Sequence, residues 1–160
     1  MRQLSLVRCA LLVLLGACGS EASAPAVSTV RVEDATFAPS LGVDLSSMTR
    51  TSDGLYYRDL VAGSGAEFAS GHRVDVWYAG YLADGTLFDS RQASSTTIPF
   101  SFTLGAGQVI DGWDEGLVGL KVGGRRLLAI PPALAYGVRG NGPIPGNAVL
   151  VFFVDAVATH

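Results

Sequence analysis

The sequence predicts an α+β domain in which an antiparallel sheet curls over one short helix. Three observations carry this: two stretches in the middle of the chain alternate apolar and polar residues, one late segment is apolar on both faces, and a single run between them has helical spacing. The 160 residues, 49% apolar and 16% charged, suffice for one domain with short additions and exclude a multidomain assembly.

The first alternating stretch runs from His72 to Tyr81, with Val74, Val76 and Tyr78 on one face and Asp75 and Trp77 on the other. Asp84-Gly85 supplies turn chemistry before a returning strand at Thr86-Leu87-Phe88. Alternation resumes from Pro99 to Leu104, where Phe100, Phe102 and Leu104 share a face. From Val109 to Leu120 the period changes, because Ile110, Trp113, Leu117 and Leu120 recur at spacings of three and four. Asp111, Asp114 and Glu115 stand near the N-terminal end of this helix, where the dipole favours acids. Gly112 and Gly116 weaken it, and Gly119 or Gly123-Gly124 ends it. Two more strands follow, Arg125 to Ile130 and Val149 to Val157, and the second, apolar on both faces, is expected at the centre of the sheet.

Ahead of the domain, Met1 to Arg8 carries two positive charges and no acid, and Cys9 to Ala17 is a run of nine apolar or small residues. That is the layout of a secretory signal, and the run is shorter than the roughly 20 residues a membrane-spanning helix needs. Leu15-Gly16-Ala17-Cys18 resembles the lipobox of bacterial lipoproteins, which implies removal of residues 1–17 and acylation of Cys18. Several acyl chains hold a protein on a membrane where one is marginal. Without Arg2 and Arg8 the chain keeps 9 basic and 14 acidic residues, a net charge of −5, and no pair of cysteines for an internal disulfide. Gly19 after the cysteine, in place of aspartate, fits sorting to an outer membrane. Residues 18–52, rich in Ala, Ser, Thr and Val with Pro25 and Pro39, show no sustained period and read as a tether. Within it, Val27 to Val32 is a candidate short strand and Phe37 a candidate for packing on the domain, which occupies 53–160. No heptad pattern supports a dimerising helix, so a monomer is expected.

Several function classes are excluded. The net charge of −3, a single lysine at Lys121 and the lone Arg125-Arg126 pair leave no nucleic-acid footprint. Two histidines and two cysteines are too few for an ordinary zinc site. Gly63-Ser64-Gly65 and Gly105-Ala106-Gly107 do not continue into a phosphate-binding fingerprint and read as turns. His72 has no nucleophile-elbow partner, and His160 is the last residue. No metal and no cofactor is expected.

One ordered series remains: Val74 to Gly80, Asp84-Gly85, Phe88-Asp89-Ser90, Pro99 to Gly105, Val109 to Trp113, Gly119, Val122-Gly123, Ala135-Tyr136-Gly137, Ile144-Pro145 and Leu150-Val151-Phe152. In order and spacing it closely resembles the tacrolimus-binding, FKBP-type peptidyl-prolyl cis-trans isomerases, over about Gly54 to Val157. The resemblance implies an antiparallel half-barrel sheet wrapped on the short helix, with a shallow aromatic pocket for a proline ring. By matching motifs, Trp113 is the pocket floor and Tyr78, Phe100 and Phe152 its walls. Asp89 and Tyr136 supply polar contacts, the Ile110 N–H binds a substrate carbonyl, and Phe88, Val109 and Ile144 complete the binding surface. On pattern alone, Phe100, Phe152 and Ile110 read as core residues, Trp113 as ordinary helix burial, Asp89 as a cap on a strand end and Tyr136 as packing.

Departures from the family are local. Arg91 to Ile98 replaces a compact basic segment, which leaves Arg91 as the only local cationic partner for Asp89. Trp77 stands where the family often has histidine, and the loop Val138 to Asn147 is shorter by a residue. The implied function is isomerisation of Xaa-Pro bonds in exported proteins, with proline-containing polypeptides and tacrolimus-like macrolides as ligands and a lipid anchor as membrane contact. A noncatalytic prolyl-peptide-binding or chaperone module is the alternative, and a structural envelope lipoprotein a third reading.

Overall fold

A computed structural model describes residues 28–95 and 97–160. The expected signal peptide over 1–17 and the expected acylation of Cys18 lie outside the described residues. In chain order the elements are β1 (Thr49–Arg50), β2 (Tyr56–Val61), β3 (Arg73–Leu82), β4 (Leu87–Arg91), β5 (Phe100–Thr103), α1 (Asp111–Gly116), β6 (Arg125–Ile130) and β7 (Leu150–Thr159). Short 3-10 turns lie at Val32–Asp34, Pro39–Leu41, Leu45–Ser47 and Pro132–Leu134.

The strands form one open antiparallel sheet ordered β1-β2-β6-β7-β3-β4, with β5 also on β3. β3 is long enough to take two partners on one edge: Tyr78 to Tyr81 pair with β4, and Arg73 to Val76 with β5. The register shift against β7 between Asp75 and Val76 falls within the stretch paired with β5, and such bulges increase local twist. As its two apolar faces require, β7 sits between β6 and β3. Its inward residues Leu150, Phe152, Val154 and Ala156 join Leu128, Ile130, Val74, Val76, Phe102, Trp113 and Leu117 in the main core.

The other face of the sheet overturns the tether reading. Leu127, Ala129 and Val151 point outward from β6 and β7 and are buried, because Val32, Leu41 and Met48 cover them in a second core. From Ser28 onward the segment is therefore packed, not extended away from the domain. Its attachments include the Ala38 N–H to the Ala83 carbonyl at 2.8 Å, and Glu33, which accepts from the Tyr56 hydroxyl at 2.7 Å and the Arg50 Nε at 3.1 Å. Phe37 packs against this second core, as expected. The described part of the candidate strand at Val27 to Val32 is not a strand, and β1 precedes the expected domain start at 53. No periodicity could have disclosed this, since irregular turns bury isolated residues instead of a repeating face.

The helix is shorter than the spacing suggests, ending at Gly116 where Val109 to Leu120 was expected. The glycines that weaken it are what allow its close approach to the sheet. A Cβ at Gly112 would collide with the Ile130 side chain, and one at Gly116 would lie 2.9 Å from Leu128. Its C-terminal end is finished by Arg126, 4% exposed, whose Nη1 donates to the Gly116 and Val118 carbonyls at 2.9 Å each. The same guanidinium is paired with Asp59 through two bonds of 2.5 and 3.0 Å and lies 4.7 Å from the Tyr57 ring centre. Half of the pair dismissed as a nucleic-acid patch is thus a buried helix cap.

Candidate active site

Tyr78 on β3, Phe100 and Phe102 on β5 and Phe152 on β7 point to the inner face of the sheet and converge on Trp113 of α1. The rings meet the indole mostly edge-on, which suits the opposed charges of ring face and edge. Centroid distances are 5.1 Å from Trp113 to Tyr78, 5.2 Å to Phe152, 5.7 Å to Phe102 and 6.1 Å to Phe100. Trp113 is 4% exposed, and its Nε1 has no hydrogen-bond partner among the described residues. Phe88 of β4 closes the far wall against Phe152 at 5.5 Å. This contact depends on Gly80, where a Cβ would stand 2.6 Å from Phe152 and 2.7 Å from Phe88.

The rings enclose a cavity of about 190 Å³, lined by Tyr78, Phe88, Asp89, Phe100, Gln108, Val109, Ile110, Trp113, Tyr136 and Phe152. Nine of the ten residues singled out from the sequence therefore stand together, although they come from four strands, a helix and two loops. The exception is Ile144. A tight bridge with Asn141, with both backbone bonds at 2.9 Å, turns its side chain into the main core, where it is 6% exposed and outside the cavity lining. Gln108 was missed. It precedes the Val109-Ile110 pair, and its Oε1 accepts from the Thr103 N–H at 2.9 Å, which ties the lining loop to β5.

Polar groups in the cavity are few. The Tyr78 hydroxyl donates to Asp89 at 2.7 Å. Burial first, then this bond to a carboxylate, hold the phenol pKa well above its ordinary value, so Tyr78 stays protonated as a donor. The sequence offered Arg91 as the partner of Asp89; instead Arg91 donates to the Ile98 carbonyl at 3.3 Å, and no ion pair joins it to Asp89 among the described residues. The Ile110 N–H and the Tyr136 hydroxyl have no intramolecular partner among the described residues. Asp114 holds the adjoining loop, accepting from the Gly105 and Gly107 N–H groups at 2.8 and 2.9 Å. Among the described residues no Ser, Cys, His or Lys lines the cavity.

The chain thus presents an open antiparallel sheet with an aromatic pocket at its inner face, beside a short helix, and a few polar groups in the pocket lining. Residues 65–157 match the family described as FKBP-type peptidyl-prolyl cis-trans isomerase, and the chain belongs to that family. It is 44% identical over 108 residues to the FK506-binding protein of Neisseria meningitidis serogroup B, covering 67% of this chain and 97% of that protein. Against FK506-binding protein 4 of Dictyostelium discoideum the identity is 48% over 114 residues, 71% of this chain but 30% of the relative, so the chain spans under a third of that longer protein. Among solved structures, AtFKBP13 superposes with a TM-score of 0.64 at 35% identity, covering 71% of this chain and 98% of that one. FkpA from Escherichia coli gives 0.64 at 41%, covering 71% and 51%.

Proposed function

We propose that the protein accelerates cis-trans isomerisation of Xaa-Pro bonds in polypeptides by enclosing the twisting amide in its aromatic cavity. The observation that carries this is a cavity walled by Tyr78, Phe88, Phe100, Trp113 and Phe152, with donors at Ile110 and Tyr136 that have no partner among the described residues. The barrier, about 18–20 kcal/mol, comes from amide resonance that separates charge between oxygen and nitrogen. Twisting removes that polarity. An apolar wall therefore favours the twisted amide over the planar one, which is differential binding of the transition state. The proline ring lies over Trp113, and the Ile110 N–H holds a neighbouring carbonyl so that rotation occurs about one fixed end. Asp89 keeps Tyr78 in place through their hydrogen bond. A thousandfold acceleration requires about 4 kcal/mol of such preference, at 1.36 kcal/mol per decade.

Tacrolimus-like macrolides would occupy the same cavity. The test is exchange NMR of a short Xaa-Pro peptide with the full chain, with and without tacrolimus. Turnover that tacrolimus suppresses is the expected result; a folded chain that binds tacrolimus without turnover would instead favour a binding module.

The site of action is the outside of a bacterial membrane, to which acylated Cys18 anchors the chain, and exported proteins are its substrates. The charged start, the short apolar run and Leu15-Gly16-Ala17-Cys18 support this reading, and Gly19 supports the outer membrane as destination. Cys18→Ala should move the protein from the detergent phase to the aqueous phase; unchanged partitioning refutes the anchor. The chain acts as a monomer, in keeping with an outer sheet face covered by its own residues.

A further inference from the structure

The aromatic cavity does not end at Ile110 and Tyr136. A second, shallower groove of about 380 Å³ shares Gln108, Val109, Ile110 and Tyr136 with it and adds Ala135 and Asp111. A polypeptide whose proline fills the first has this groove as a path for its flanking residues. Asp111 is exposed, and its carboxylate makes no hydrogen bond and no ion pair among the described residues. The other acids nearby are already engaged, Asp89 by the Tyr78 hydroxyl and Asp114 by two loop N–H groups. Glu115 lines neither space.

Asp111 follows Ile110 directly, and consecutive Cα atoms are about 3.8 Å apart. A carbonyl held by the Ile110 N–H therefore brings the substrate backbone to within about one residue of a free negative charge. We propose that Asp111 is a specificity-determining residue that favours substrates with a lysine or arginine within two residues of the proline. The inference rests on the isomerase reading for its assay but concerns the groove beside the cavity. A hydrated pair of opposite unit charges about 4 Å apart is worth about a fivefold preference, and salt screens it.

The experiment compares kcat/KM of the full chain on Xaa-Pro peptides carrying Lys, Ala or Glu at each of the two positions on either side of the proline. At low ionic strength, Lys is expected to exceed Glu by about two- to fivefold per charge change at one or more positions, with the ratio shrinking at 1 M salt. In Asp111→Asn the ratio falls to one, and in Asp111→Lys it inverts, with folding checked by circular dichroism. Equal rates for Lys and Glu peptides, or a preference that survives Asp111→Asn, overturn the proposal. Absence of turnover on every peptide overturns the isomerase reading instead. Peptide affinities from NMR titration then decide the role of Asp111 by the same Lys-to-Glu ratio, equality again overturning it.

Discussion

Gly80→Ala adds one methyl group at the point where two cavity walls meet. The new Cβ would stand 2.6 Å from Phe152 Cε1 and 2.7 Å from Phe88 Cζ, against about 3.5 Å or more for carbon atoms at rest. Both rings must move by the better part of an ångström, or β3 must part from β4 and β7, to which Gly80 is paired opposite Asp89 and Phe152. Overpacking of this kind costs about 1–3 kcal/mol. The lower entropy of an unfolded chain with alanine in place of glycine offsets about 0.4–1 kcal/mol of that. The net expectation is a loss of about 1–2 kcal/mol in folding stability. Activity should suffer more, because a displacement of about 1 Å at a site that works by enclosure costs up to about a hundredfold. Urea denaturation followed by tryptophan fluorescence reads the first quantity, and peptide exchange NMR the second. A Gly80→Ala protein with wild-type midpoint and wild-type turnover would refute both the packing of this wall and the claim that the wall performs the catalysis. Phe88→Leu in the same chain, by making room, should restore part of the lost stability.

Leu41→Ala tests the packed N-terminal segment: Leu41 is 4% exposed, and truncating a buried leucine costs about 2–5 kcal/mol, so the whole domain should lose stability in one transition, whereas a loose tether would show no change in midpoint. Arg126→Met removes the buried guanidinium, leaving Asp59 unpaired and the Gly116 and Val118 carbonyls without their donor. Removing one partner of a buried pair costs about 3–5 kcal/mol, and since Asp59 is partly exposed and can rehydrate we expect about 2–4 kcal/mol by urea denaturation; a change below about 0.5 kcal/mol would deny the cap its role. The raised pKa of Tyr78, from burial and then from Asp89, makes the folded state favour the protonated phenol. Its contribution to stability is complete below the ordinary phenol pKa of about 10 and is lost as pH rises through the folded value, so Tyr78→Phe should flatten the alkaline fall in melting temperature. An alkaline limb identical in both proteins would contradict that assignment.

The site was legible because its residues belong to short motifs whose order survives in the chain, and because alternation in β3 and β5 already put Tyr78, Phe100 and Phe102 on the apolar side. Ile144 misled for the opposite reason. Its orientation depends on a four-residue turn, and nothing local distinguishes a side chain facing the cavity from one facing the core beside it. β2 went unread because Tyr56 to Val61 lacks clean alternation and exists as a strand through its pairing with β6. Gly112 and Gly116 count against a helix in isolation, yet they are what the contact with Ile130 and Leu128 demands.

Composition and periodicity by themselves determined an antiparallel sheet with one short helix and a central β7, while the aromatic residues of the cavity were picked out by their resemblance to a family's motifs. The sheet, the helix and the central strand follow from local chemistry: which residues alternate, which face a turn permits, which side chains cannot stand in water. Tertiary structure alone decided that Val32, Leu41 and Met48 close a second core on the outer face of the sheet, that Arg126 is buried as a helix cap, that Asp89 answers to Tyr78 and not to Arg91, and that Asp111 lines the groove beside the cavity with no partner among the described residues. Each of these depends on which distant segment arrives at a given surface, and that is set by the summed packing of the whole chain, not by any stretch of it.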